Sequence, residues 1–257
     1  MPSRPKARPA PAADVLARLH VAYPGADCSL DHADAFQLLI STILSAQCTD
    51  SRVNGVTPAL FRRFPTPAAM AGAGGDLEEL IRSTGFFNAK AKSIRGACRA
   101  IVETHGGLVP RTMEELHALP GVGRKTANVV LGNAFGAPGG VVVDTHVGRI
   151  SRRLGWSRHA DPVKVETDLN ALLPRGEWVF ASHALILHGR RTCTSRSPRC
   201  GSCLLADLCP KSGVAISAAT PPPRSAPADR TAARMKRPSG PKTPVRALGS
   251  TTGRSGR

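Results

Sequence analysis

Aromatic side chains are scarce in this 257-residue chain, which has two Trp, one Tyr and seven Phe. Acidic residues are few as well: 18 stand against 35 Lys and Arg, for a formal charge of +17. No apolar run approaches the roughly 20 residues of a membrane-crossing helix, and the N-terminus lacks an apolar segment followed by a small-residue cleavage site. Strand-like patterning is nearly absent. The β-branched run Val141–Val143 is the sole candidate, and it is too isolated to build a sheet. The length is ample for a core, in one large or two small domains. So positive a charge implies a polyanionic partner, though composition alone does not say which.

The charge is concentrated at the ends. Residues 1–12 carry three basic residues and no acid, and residues 211–257 carry ten basic residues and the single acid Asp229. Both stretches are rich in Pro, Ala, Ser and Arg and show no periodicity, so they read as disordered basic tails that bury too little apolar area to offset ordering entropy. They are either simply solvated or bind phosphate weakly and without sequence preference.

Between the tails, apolar residues recur at three and four. Val15, Leu16 and Leu19 mark one helix, and Phe36, Leu39, Ile40, Ile43 and Leu44 a second. Thr66-Pro67 and Asp161-Pro162 pair a capping side chain with proline at the first helical position. Thr112-x-x-Glu115 is a capping box. The pattern predicts an all-α fold of about ten helices, ending with a long helix from Trp178.

Three constellations carry chemistry. Cys193, Cys200, Cys203 and Cys209 lie within seventeen residues at spacings of six, two and five. Four thiolates so close suit tetrahedral Zn or an iron–sulfur cluster. A structural Zn site usually pairs two short knuckles, and only one is present, so the spacing favours [4Fe–4S]. Cys28, Cys48 and Cys98 read as small buried hydrophobes.

The second is Leu119-Pro-Gly-Val-Gly-Arg-Lys-Thr-Ala, a hairpin between two helices. Gly121 and Gly123, flanking Val122, allow backbone N–H groups to approach an anion, and the helix that follows adds a favourable dipole. Arg124 is a candidate phosphate contact. Lys125 sits in the first helical turn, where a cation is disfavoured and the neutral, nucleophilic amine is favoured. The third is Val143-Asp144-Thr145-His146. Alone, Asp144 reads as a helix N-cap; its catalytic weight comes from pairing with Lys125.

Together with Leu44-Ser-Ala-Gln-Cys-Thr-Asp50, these motifs resemble the endonuclease III family of base-excision DNA glycosylases, over about residues 13–210. The resemblance implies a two-lobed helix–hairpin–helix glycosylase fold with a [4Fe–4S] cluster loop. A six-helix barrel would span 28–137, and a cluster domain 13–27 plus 138–210, with a DNA cleft between them. It implies that Lys125 attacks C1′ of the damaged nucleotide, forms a Schiff base and breaks the strand by β-elimination, while Asp144, buried nearby, stabilises developing positive charge. Gln47 would fill the space left by the everted base, and Phe86 would be the wedge, where familiar relatives have Leu; a partly exposed core aromatic is the alternative for Phe86. Arg196 and Arg199, in the loop between the first two cysteines, would meet phosphates. The implied enzyme removes oxidised pyrimidines from double-stranded DNA and also acts at abasic sites. It would be a monomer without membrane contact, cytoplasmic and held at the nucleoid by DNA.

Two other readings compete. A sister mismatch glycosylase would lack Lys125 and carry a catalytic Glu where Ile43 stands, and it usually has a further folded C-terminal domain. A non-catalytic DNA-binding module would use the hairpin and metal site for docking alone.

Overall fold

Eleven α-helices and three short 3-10 turns form the regular structure of residues 8–214, the part that the computed structural model describes; these residues contain no strand. The helices are α1 (Ala12–Ala22), α2 (Ala35–Leu44), α3 (Asp50–Arg63), α4 (Pro67–Ala71), α5 (Asp76–Ile81), α6 (Phe87–His105), α7 (Met113–Ala118), α8 (Arg124–Phe135), α9 (Thr145–Arg153), α10 (Pro162–Leu172) and α11 (Trp178–Arg191). The all-α reading holds. Among the described residues no helix is long and apolar enough to cross a membrane.

The caps read from sequence are made. Thr66 accepts from the Ala69 amide, Thr112 from Glu115, and Asp161 from Val163 and Lys164, each worth about 1 kcal/mol. The sequence reading assigned no helix to α3. Gly55 and Pro58 lie inside it, and one rung of its buried stripe Val53–Thr57–Leu60 is polar. The run Val141–Val143 is extended but unpaired. The Val141 amide donates to the Asn170 side chain (2.9 Å) and Val142 to Ser182 Oγ (2.9 Å), bonds without which a buried N–H costs about 1–3 kcal/mol.

Buried apolar side chains gather in two clusters. One runs from Leu30 to Leu131 and is built by α2 to α8 with their loops. The other joins α1 to α9, α10, α11 and Leu205. Polar pairs connect elements of the two. Arg190 on α11 meets Asp50 at the start of α3 (3.0 Å), and His183 on α11 meets Asn133 on α8 (2.8 Å). Burial holds the His183 imidazole below its usual pKa, which keeps it neutral at this contact.

The N-terminal boundary differs from the sequence expectation. Within residues 1–12, read as a tail, Ala10 is buried; its amide donates to Leu154 O (2.9 Å) and its carbonyl accepts from Trp156 Nε1 (2.8 Å). An indole N–H turned inward needs an acceptor, and the strand of chain before α1 supplies it. At the other end the Ser212 amide donates to Arg153 O (3.2 Å). The remaining tail residues, 1–7 and 215–257, lie outside the described residues.

Candidate active site and DNA interface

The hairpin between α7 and α8 is shaped by one glycine more than the other. Gly121 has φ +76°, and a Cβ there would lie 2.5 Å from Ser93 Cβ on α6. Side-chain bulk is thus excluded by both backbone and neighbour. Val122 departs from the expected DNA contact: its side chain is buried in the first core and its amide already donates to Leu119 O (3.1 Å). Gly123 is the N-cap of α8 with ordinary φ, open space around it and no side-chain cap. The first turn of α8 therefore presents its amides and the positive end of its dipole to whatever approaches, and Lys125 stands exposed in that turn.

Arg124 is used differently from its expected role. Its Nη2 donates to Glu166 Oε1 (2.8 Å) and its Nε to Oε2 (3.0 Å), while Asn128 Nδ2 donates to the same carboxylate (3.1 Å). Glu166 is buried on α10. It also lies against Gly140, where an added Cβ would collide with the carboxylate. One buried acid thus bonds the residue before Lys125 and packs closely beside the chain four residues before Asp144. Sequence reading missed Glu166 because it sits on an ordinary amphipathic helix with no motif around it.

Asp144 caps α9. Its Oδ1 accepts from the amides of His146 and Val147, both at 2.8 Å, and Oδ2 has no hydrogen-bond partner among the described residues. The capping reading is correct, and it still leaves one oxygen free. Asp144 is half-buried and Lys125 exposed, so the acid is less enclosed than expected.

Gln47 and Phe86 share an unusual backbone. Among the described residues only three non-glycines have positive φ, and these are two of them, at +51° and +49°. Such conformations cost about 1–3 kcal/mol and persist where surrounding structure imposes them. Phe86 is 66% exposed, so the core-aromatic alternative does not apply.

The four clustered cysteines line one pocket together with Ile150, Leu154 and Leu205. No three His, Cys, Asp or Glu side chains among the described residues are gathered to hold a single metal ion. The donor set nonetheless fits an iron–sulfur cluster, because N–H groups already point at the sulfurs: Arg153 Nη1 to Cys193 (3.1 Å), the Leu205 amide to Cys203 (3.4 Å) and the Lys211 amide to Cys209 (3.3 Å). Burial holds the Cys203 and Cys209 thiols above their usual pKa, a penalty that bound iron offsets by stabilising the thiolates. Arg153 also donates to Thr194 O (2.7 Å) and Ser195 O (3.0 Å), which props up the loop that carries exposed Arg196 and Arg199. No motif surrounds Arg153 on α9, so nothing in the sequence singles it out. Cys98 is buried, its thiol pushed up to about 12, whereas Cys28 and Cys48 are only half-buried.

Comparison with known proteins agrees with this arrangement. Residues 40–175 match the model of the HhH-GPD superfamily base excision DNA repair proteins, and residues 193–209 match the iron–sulfur binding domain of endonuclease III. The endonuclease III of Synechocystis sp. is 58% identical over 200 residues, covering 77% of this chain and 91% of that protein. That of Escherichia coli K12 is 44% identical over 197 residues, covering 76% and 93%. A solved structure of a trapped endonuclease III–DNA covalent intermediate superposes with TM-score 0.73 at 44% identity, over 77% of this chain and 94% of that one. A helix–hairpin–helix beside a cysteine loop, matched over these lengths, places the chain in the endonuclease III family, the DNA glycosylase/AP lyases of base excision repair, which carry a [4Fe–4S] cluster.

Proposed function

We propose that this chain removes oxidised pyrimidines from duplex DNA and then cleaves the strand at the abasic site, with Lys125 as nucleophile and Asp144 as its electrostatic partner. The observation that carries this reading is the placement of Lys125 in the uncapped first turn of α8, next to Arg124, which is fixed by Glu166, a buried acid packed close beside Gly140 in the segment that leads to Asp144.

The neutral Lys125 amine attacks C1′. The C1′–N glycosidic bond breaks with its electrons leaving on the base, which takes up a proton. The carboxylate of Asp144 opposes the positive charge that develops at the sugar, in a site partly shielded from water. Loss of a proton from nitrogen and opening of the sugar ring give an iminium ion at C1′. A proton then leaves C2′, the C3′–O bond breaks and the phosphate departs; water hydrolyses the imine and frees Lys125. The damaged base must first leave the stack, at about a few kcal/mol. Gln47 fills the vacated space and Phe86 wedges the neighbouring step. The amides of the α8 first turn, with Arg196 and Arg199, hold flanking phosphates. Cys193, Cys200, Cys203 and Cys209 hold the cluster, which fixes the fold of its loop. The DNA groove runs between a lobe of residues 28–137 and one of 13–27 plus 138–210. The protein acts as a monomer on damaged or abasic double-stranded DNA, in the cytoplasm at the nucleoid.

Single-turnover assays on duplexes bearing thymine glycol test this. Free base and a strand ending in an unsaturated aldehyde appear together with the wild type, and neither appears with Lys125→Ala. Base release by that variant at the wild-type rate would overturn the assignment.

A further inference from the structure

Lys90, in the first turn of α6, is the one buried lysine among the described residues, at 5% exposure. Its Nζ donates to Leu44 O and to Thr84 O, both at 2.8 Å. Among the described residues no carboxylate pairs with it, and the one ionisable group that acts on its charge is the Cys48 thiol. Burial lowers its pKa accordingly.

An ammonium without a counter-charge is an expensive way to fasten two loops. A buried charge costs several kcal/mol, and an apolar side chain of similar volume is often neutral or stabilising in its place. The two acceptors explain what the arrangement achieves. Leu44 ends α2, where the carbonyl end of the helix dipole welcomes a cation, and it lies three residues before Gln47. Thr84 ends a 3-10 turn and lies two residues before Phe86. The Lys90 amide also donates to the Phe86 carbonyl (3.0 Å), so the lysine grips that turn by main chain and side chain together. Both downstream residues are the left-handed non-glycines described above.

We infer that Lys90 is a positioning residue that locks the Gln47 and Phe86 loops at a fixed separation, so that plug and wedge enter the duplex as one preorganised unit during eversion. This rests on the reading of Gln47 and Phe86 under the proposed function. Lys90 touches neither DNA nor the reacting atoms. Its effect is on the geometry of the pair, where looseness of about 1 Å can lower rates a hundredfold.

The test uses the full-length, cluster-containing protein and a thymine glycol duplex with 2-aminopurine beside the lesion, whose fluorescence rises as the stack opens. Lys90→Met keeps an unbranched side chain, one atom shorter, and removes both hydrogen bonds. Eversion and base excision are expected to slow at least tenfold in parallel, while β-elimination at an abasic site in single-stranded DNA, which needs no eversion, stays within twofold of wild type. Gln47→Ala and Phe86→Ala slow eversion too, and each adds less in the Lys90→Met background than alone. If Lys90→Met does not accumulate folded, Lys90→Gln, which keeps two neutral donors, is expected to show the same split at smaller amplitude. Wild-type eversion in the folded Lys90 variant, or an equal loss of single-strand cleavage, overturns the role of Lys90 alone. Wild-type eversion in both Gln47→Ala and Phe86→Ala overturns the underlying reading of those residues, and the role of Lys90 with it.

Discussion

Arg124 and Glu166 form a forked pair between α8 and α10, with the acid buried and the guanidinium side chain 45% exposed. That asymmetry makes the two partners unequal under mutation. Arg124→Ala strands a buried carboxylate with only Asn128 to serve it, a loss of about 2 kcal/mol after allowing for screening at the exposed arginine. Glu166→Gln keeps one oxygen to accept from Arg124 but removes the charge and the second acceptor, and costs about 1 kcal/mol. Urea unfolding should rank them in that order. Both should lower single-turnover excision, because Lys125 adjoins Arg124.

The two hairpin glycines should behave differently. Gly121→Ala combines φ +76° with a clash against Ser93 and should destabilise by about 2 kcal/mol; adding Ser93→Gly relieves the clash while the backbone strain remains. Gly123→Ala meets open space at ordinary φ and only replaces a better N-cap residue, so it should cost about 1 kcal/mol or less. It should still weaken duplex binding if the α8 amides hold a phosphate, as fluorescence anisotropy would register. Unchanged affinity in this variant would remove the hairpin from the DNA interface.

Asp144 performs two tasks that substitution can separate. Asp144→Asn keeps an oxygen for the His146 and Val147 amides and removes the charge, so melting temperature should hold while excision falls about a hundredfold or more. Asp144→Ala loses the cap as well, at about 1 kcal/mol. Equal activity of the asparagine variant and wild type would reduce Asp144 to a cap.

How far the sequence revealed this arrangement depended on whether the signal was local. Caps such as Thr112 and Asp161, the cysteine spacing and the glycine hairpin are determined within a few residues, and all were readable. Glu166, Arg153 and Lys90 were not. Each is a charged residue on an amphipathic helix, and its partner lies 42, 40 and 46 residues away. Periodicity assigns such positions to solvent, and only the packing of distant helices turns them inward. Phe86 shows the converse: a large aromatic that composition would place in a core is exposed because Gly85 and Phe86 turn the chain left-handed before α6.

Acid sensitivity should trace partly to α5 and α6. Arg95 holds the Glu78 carboxyl below its usual value, with Nη1 at 3.0 Å from Oε2. A depressed carboxyl contributes stability that is complete above its ordinary pKa near 4.5 and is lost as pH falls through the lower folded value. Urea midpoints measured downward from pH 5 should therefore drop less steeply for Glu78→Gln than for wild type. Parallel curves would show that the pair contributes nothing to acid sensitivity.

The most direct test is borohydride reduction of the enzyme on an abasic duplex, followed by peptide mapping by mass spectrometry. Attack by the α8 amine predicts a stable protein–DNA adduct whose sugar remnant maps to Lys125, and no adduct with Lys125→Ala. A remnant on another residue, or trapping by the alanine variant as efficient as by wild type, would contradict the account.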